Sequence, residues 1–139
     1  MASRTGDSAP EREREMQKFK ARLANALTEE DDPLAVYHQF VQWTIKNYGE
    51  NNPRSGLKEL LKEATTMFKD DSVYKSDLRY LKIWALYARQ MDKASALAIY
   101  ASLIANDIGT SYSALYEDYS TLLESEGRYV FLSWPTPLC

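Results

Sequence analysis

The sequence predicts an all-α protein, an α-solenoid of stacked antiparallel helix pairs with about six helices. Three observations predict it. Apolar residues recur at i, i+3, i+4 and i+7 in one segment after another. Helix start and stop residues punctuate those segments: Asp32-Pro33, Asn52-Pro53 and Asp92 open them, and Gly49 and Gly127 close them. No stretch alternates with period two for long enough to make a convincing strand.

The elements follow in order. Residues 1–9 are small and polar and read as a disordered N-terminus. From Pro10 the charges of Glu11, Arg12, Glu13, Arg14 and Glu15 alternate in sign, which reads as a solvated helix face. Met16, Phe19, Leu23, Ala26 and Leu27 follow at helical spacing and extend that helix to about Leu27. An acidic connector, Thr28 to Asp32, leads to Asp32-Pro33. There Asp is placed as N-cap and Pro takes the first helical position, where its missing N–H costs nothing. Leu34, Tyr37, Phe40, Val41, Thr44, Ile45 and Tyr48 share a face before Gly49.

Asn52-Pro53 repeats the start signal. Leu57, Leu60, Leu61, Ala64, Met67 and Phe68 then fall at near-ideal spacing, and the polar turn Lys69 to Ser72 breaks the pattern. A helix beginning near Ser76 is apolar on nearly every side: Tyr80, Leu81, Trp84, Tyr87 and Ala88 form a stripe, with Ile83 and Leu86 off it. A helix apolar all round is buried on several faces or serves a partner. Asp92 opens another two-sided helix, with Leu97, Ala98 and Ala101 on one side and Ile99, Tyr100 and Leu103 on another. The turn Ile108-Gly109-Thr110 precedes a last stripe of Tyr112, Leu115, Tyr116, Tyr119, Leu122 and Leu123.

Trp43, Trp84 and Tyr119 stand 41 and 35 residues apart, each near a second aromatic: Tyr48, Tyr87 and Tyr116. Spacings of roughly 34 to 47 residues mark repeats built from helix pairs, so the stack is tetratricopeptide-like. Trp43, Trp84, Tyr87, Tyr116 and Tyr119 are assigned to the structural core. Ile83, Leu86, Ile99 and Leu103 are candidate partner-binding residues, either packing between pairs or lining a groove for a partner helix.

Several kinds of chemistry are excluded by residue supply. One His, His38, and one Cys, Cys139, make no metal cluster, so no metal site is expected. The glycines are scattered at turns, and no phosphate-cradling loop forms. Cys139 has no neighbouring base in sequence, and Asp77 with Arg79 reads as a cap or ion pair. No cofactor and no catalytic residue is expected. With 17 basic and 20 acidic residues and no basic cluster, nucleic acid is not expected as a partner. No apolar run reaches the length of a membrane span.

Certain motifs carry a family resemblance. Trp43-x4-Tyr48, Leu57-x2-Leu60-Leu61 and Tyr74-x2-Asp77-x-Arg79-Tyr80-Leu81-x-Ile83-Trp84-x2-Tyr87 come first. Asp107-Ile108-Gly109, Leu115-Tyr116-x2-Tyr119 and Leu122-Leu123-Glu124-x2-Gly127 follow. Over residues 32–127 this resembles the N-terminal tetratricopeptide-like region of the BUB/MAD family of mitotic spindle checkpoint proteins.

The resemblance implies a non-catalytic interaction domain that docks to a kinetochore scaffold protein through a short amphipathic helical motif. It also implies other checkpoint proteins as partners and a place in the nucleus, at the kinetochore, with the cytoplasm as a second location. The alternatives are an N-terminal fragment of a checkpoint serine/threonine protein kinase and a generic helical-repeat scaffold. No Gly-rich loop, His-Arg-Asp or Asp-Phe-Gly of a kinase is present, and no Lys-Glu-Asn tripeptide occurs. Where the family continues with a closing helix, residues 128–139 diverge and read as a fragment, a truncation or an altered final exon.

Overall fold

A computed structural model describes residues 9–125. They form α1 (Ala9–Ala24), α2 (Ala26–Glu29), α3 (Pro33–Tyr48), a 3-10 turn (Pro53–Ser55), α4 (Leu57–Met67), α5 (Ser72–Lys75), α6 (Leu78–Arg89), α7 (Lys93–Ala105) and α8 (Ser113–Ser125). Among the described residues there is no strand. Of the N-terminus expected to be disordered, residues 1–9, Ala9 instead opens α1, and residues 1–8 lie outside the described residues, as do the helix stop at Gly127 and the divergent tail 128–139.

The helix count rises from six to eight for a local reason. The N-terminal helix is interrupted at Asn25 (φ −115°, ψ 9°), which separates α2 from α1. The stretch after Phe68 contains α5, a single turn whose first amides are met by Asp71: its carboxylate accepts from Val73 N at 2.9 Å. One-turn helices carry no periodicity, so neither was visible as a separate element. Asn52-Pro53 opens only the 3-10 turn, and Gly56 (φ +77°) resets the chain so that α4 starts at Leu57.

The chain falls into two compact units, one ending at Leu60 and the next beginning at Leu61. In the first, α1 and α3 lie side by side and antiparallel. Arg12, near the start of α1, reaches Asn47 and Tyr48 at the end of α3, while Phe19, further along, stacks on Phe40 at 4.9 Å. The Glu/Arg run is thus not uniformly solvated. Arg12 turns inward, its guanidinium 5.0 Å from the Tyr48 ring centre and donating to the Asn47 carbonyl at the helix end. Leu34, Val36, Tyr37, Phe40 and Val41 are buried along α3. Thr44 joins them by donating its hydroxyl back to the Phe40 carbonyl at 2.8 Å.

In the second unit, α6 packs on α7 across the turn Gln90–Asp92, and α7 packs on α8. The α7/α8 pair is antiparallel: Lys93 at the start of α7 donates to the Ser125 carbonyl at the end of α8, and Tyr100 stacks on Tyr119 midway, at 5.9 Å. Asp77 caps α6, accepting from Arg79 N at 2.9 Å and holding the Arg79 guanidinium at 2.7 Å, so it is cap and ion pair at once. The turn after α7 is tied back across the unit. Gly109 N donates to the Lys75 carbonyl at 2.8 Å, and Tyr112 donates its hydroxyl to the Ser76 carbonyl at 2.7 Å. Gly109 has φ +71°, and a Cβ there would meet Leu81 Cδ1 at 2.8 Å, so the close approach requires glycine.

Candidate functional site

The structure redistributes the residues that sequence reasoning assigned. Ile83 and Leu103 are 0% exposed and belong to the core, which corrects their placement on a partner surface. The reason is that α6 and α7 are each covered on more than one side, so their second apolar faces are packing faces. Leu86 and Ile99 are half-buried and remain within reach of a partner. The five aromatics assigned to the core move the other way. Trp43, Trp84, Tyr87, Tyr116 and Tyr119 are all half-buried rather than enclosed. Among the described residues the buried aromatics are Tyr37, Phe40, Phe68, Tyr74, Tyr80 and Tyr100, of which Tyr37 and Tyr80 are the most enclosed; the repeat spacing singled out none of them.

Half-burial arises because these rings pack on one another. Trp84 stands edge-on to Tyr80 and to Tyr87, each at 6.2 Å between centres. Tyr80 is anchored beneath: its hydroxyl donates to the Thr65 carbonyl at the end of α4, and its ring meets Phe68 edge-on at 6.2 Å. Burial pushes the Tyr80 phenol up to about 12, and burial does the same to Tyr100, with Asp118 adding to the rise. Both side chains therefore stay neutral through the physiological range. At the start of α7 the Ser95 side chain and backbone hold the Asp92 carboxyl below its usual range.

Two surfaces of this second unit stand out. One is the solvent side of α7. Beyond Lys93, its exposed residues are Ala94, Ala98, Ala101, Ser102 and Ala105, with no charge among them. Sequence reading placed Ala98 and Ala101 with Leu97 on one apolar side of this helix; the structure separates them, burying Leu97 and exposing the two alanines, because alanine fits core and surface equally. The signal was nonetheless present in the absence of any charge between Ala94 and Ala105. The other is a cleft of about 400 Å³ between α6, α7 and α8, with Ala88, Ala96, Tyr100 and Leu122 among its walls. Among the described residues no group of three His, Cys, Asp or Glu is placed to hold a metal ion. No described helix is long and apolar enough to cross a membrane.

Antiparallel helix pairs, with no strand among the described residues, define the class as an all-α, helical-repeat fold. Residues 14–130 match the Mad3/BUB1 homology region 1 family, and the chain belongs to that family of spindle checkpoint proteins. It is 35% identical over 100 residues to the mitotic spindle checkpoint component mad3 of Schizosaccharomyces pombe, covering 71% of this chain and 32% of that protein. It is 29% identical over 113 residues to the spindle assembly checkpoint serine/threonine-protein kinase BUB1 of Saccharomyces cerevisiae, covering 77% of this chain and 11% of that one. The chain thus spans about a third or less of the length of these curated relatives.

Solved structures agree. A chain in a crystal structure of the mitotic checkpoint complex superposes with TM-score 0.75 at 31% identity, over 83% of this chain and 53% of its own length. The conserved N-terminal domain of the mitotic checkpoint component BUB1 gives TM-score 0.74 at 27% identity, over 83% of this chain and 60% of its own. The expected all-α fold and the family resemblance are both confirmed.

Proposed function

We propose that this chain acts as a non-catalytic protein-interaction domain in the spindle assembly checkpoint. In this reading it docks to a kinetochore scaffold protein by receiving a short amphipathic helix, and it associates with other checkpoint proteins in the nucleus. The observation that carries the reading is the uncharged exposed face of α7 in a chain that belongs to the checkpoint family. A helix face without charged side chains is cheap to desolvate, and its small residues let a second helix approach closely. Half-buried Leu86 on α6 and Ile99 on α7 supply larger apolar side chains beside it. A relative of this fold stands in a mitotic checkpoint complex, which supports checkpoint proteins as partners.

The test is titration of a labelled helical peptide from the kinetochore scaffold against the wild-type chain and Ala101→Glu. Placing a charge on this face should weaken binding about tenfold or more, a loss of about 1.4 kcal/mol, while the circular dichroism stays unchanged. Equal binding by a folded Ala101→Glu removes α7 from the interface, and absent wild-type binding removes scaffold docking altogether. A second reading is favoured by the kinase relatives: the chain is the N-terminal part of a checkpoint serine/threonine kinase. Sequencing the reading frame downstream of Cys139 in the transcript decides it by the presence or absence of a kinase domain.

A further inference from the structure

The cleft between α6, α7 and α8 exists because two alanines stand where larger side chains would close it. Ala88 on α6 and Ala96 on α7 are both buried, yet each contributes to the cleft wall. Its lining recurs at helical spacing along both walls: Lys93, Ala96 and Tyr100 on α7, and Asp118, Leu122 and Ser125 on α8. Seven residues of helix rise about 10 Å, or about two turns, so the cleft is a groove running along the antiparallel pair. These α7 positions lie on a different side of the helix from exposed Ala94, Ala98, Ala101 and Ala105.

Tyr100 brings an unmet polar group to this groove. It is only 5% exposed, it lines the cleft, and its hydroxyl makes no hydrogen bond among the described residues. Leaving such a group without a partner costs free energy that a bound acceptor returns. Burial and the nearby Asp118 keep the phenol protonated, against the pull of Arg89, so it stays a donor. Asp118 supplies an acceptor near it. A donor and an acceptor together match the C=O and N–H of a peptide backbone. A helix satisfies its own backbone groups, so this pair favours an extended segment.

Toward the corner between α6 and α7 the lining is cationic. Arg89 ends α6 and Lys93 opens α7, where Lys93 reaches the Ser125 carbonyl at 3.4 Å. Two cations against the one carboxylate of Asp118 leave the lining net positive, in a chain whose net charge is −3. Ala88, Ala96 and Leu122 make the apolar wall. The volume, about 400 Å³, admits a large side chain with the backbone around it.

We propose that this groove docks a short extended segment of a partner protein in which an acidic residue stands close to a large apolar one. Lys93 and Arg89 attract the carboxylate, the apolar side chain fills the space over Ala88 and Ala96, and Tyr100 and Asp118 bond the backbone. The site is separate from the outer face of α7, and its test does not involve the scaffold.

Panning of phage-displayed octapeptides on the full chain tests it. Phe is fixed at the centre, and the other positions carry Asp, Glu, Lys, Arg, Gln or Ala. Docking predicts enrichment of Asp or Glu close to Phe. Enrichment of Lys or Arg instead, or no enrichment beyond that on uncoated beads, overturns the proposal. The most enriched peptide is then labelled and titrated against variants by fluorescence anisotropy, with circular dichroism to confirm that each is folded. Lys93→Glu, at an exposed position, should weaken binding about tenfold or more. Tyr100→Phe keeps the stack on Tyr119, removes only the hydroxyl, and should weaken binding several-fold. Ala101→Glu, on the outer face of α7, should leave it unchanged. Binding that ignores Lys93→Glu or Tyr100→Phe, or that is lost in Ala101→Glu, overturns the proposal.

Discussion

Helices α4 and α7 are nearly equal in length and opposite in design. Every residue of α4 falls on one of two sides. Leu57, Leu60, Leu61, Ala64 and Thr65 are buried, and Lys58, Glu59, Lys62, Glu63, Thr66 and Met67 are exposed. In α7 the buried set is Ala96, Leu97, Tyr100 and Leu103, but the exposed set is alanine and serine beyond Lys93. The two helices use the same apolar interior chemistry and differ only in how they meet water. A charged outer face commits α4 to solvent, because desolvating Lys and Glu costs more than burying their stems returns. The outer face of α7 carries no such penalty, so it is free to be covered. The difference teaches that partner capacity lies in what a helix omits from its solvent side rather than in large exposed hydrophobes.

If the comparison holds, the inner faces of the two helices are equally sensitive. Leu61→Ala and Leu103→Ala, both at 0% exposure, should each cost about 2–5 kcal/mol in urea melts. A loss under about 1 kcal/mol at Leu103 alone would break the parallel. Trp84→Ala should fall below the roughly 3–5 kcal/mol of an enclosed Trp→Ala, because the ring is only half-buried. A loss as large as that would restore Trp84 to the core. Tyr80→Phe should cost about 1–3 kcal/mol by removing the donor that meets the Thr65 carbonyl at the end of α4.

Tyr80 on α6 and Tyr100 on α7 add a pH axis. Burial raises Tyr80 and Tyr100 from 10.0 to about 12, so the folded chain holds these protons more tightly than the unfolded chain does. Their contribution is intact below pH 10, then falls between pH 10 and about 12 as the unfolded chain ionises first. Alkaline melts should show that decline, shallower in Tyr100→Phe. A flat profile across the window would place both phenols in water. The smallest effect sharpens the outer faces. Lys62→Glu on α4 and Ala98→Glu on α7 should each move stability by no more than about 0.5 kcal/mol, yet only Ala98→Glu should alter partner binding.

Much of the fold was legible from single residues. Asp77 and Asp92 cap the helices they precede, Gly49 ends α3, and the α4 stripe starts and stops within a residue or two of its expected limits. The site was less legible. Ile83 and Leu103 look like a second face in sequence, and periodicity cannot distinguish a face covered by a neighbouring helix from one left open. The half-buried aromatics mislead for the related reason that size and spacing report packing without reporting depth. Tyr80 lies between the Trp84 and Phe68 rings and is enclosed by both, while Trp84 itself stays at the rim. One-turn α5 has too few residues to show a period, and only its Asp71 cap marks it.

The glycine at 109 has a kinetic meaning as well as a steric one. Its amide is bonded to a carbonyl 34 positions earlier, so that bond encloses all of α6 and α7 within one loop of chain. Closing such a loop carries an entropic cost that local helix formation does not, so this contact belongs among the later events of assembly. In the native state the same amide cannot exchange with solvent unless the seam between α5 and the turn after α7 parts. Isotope exchange at Gly109 therefore reports how often the second unit opens at its seam. One backbone position thus serves as a clock for the breathing of the whole α6–α7 hairpin.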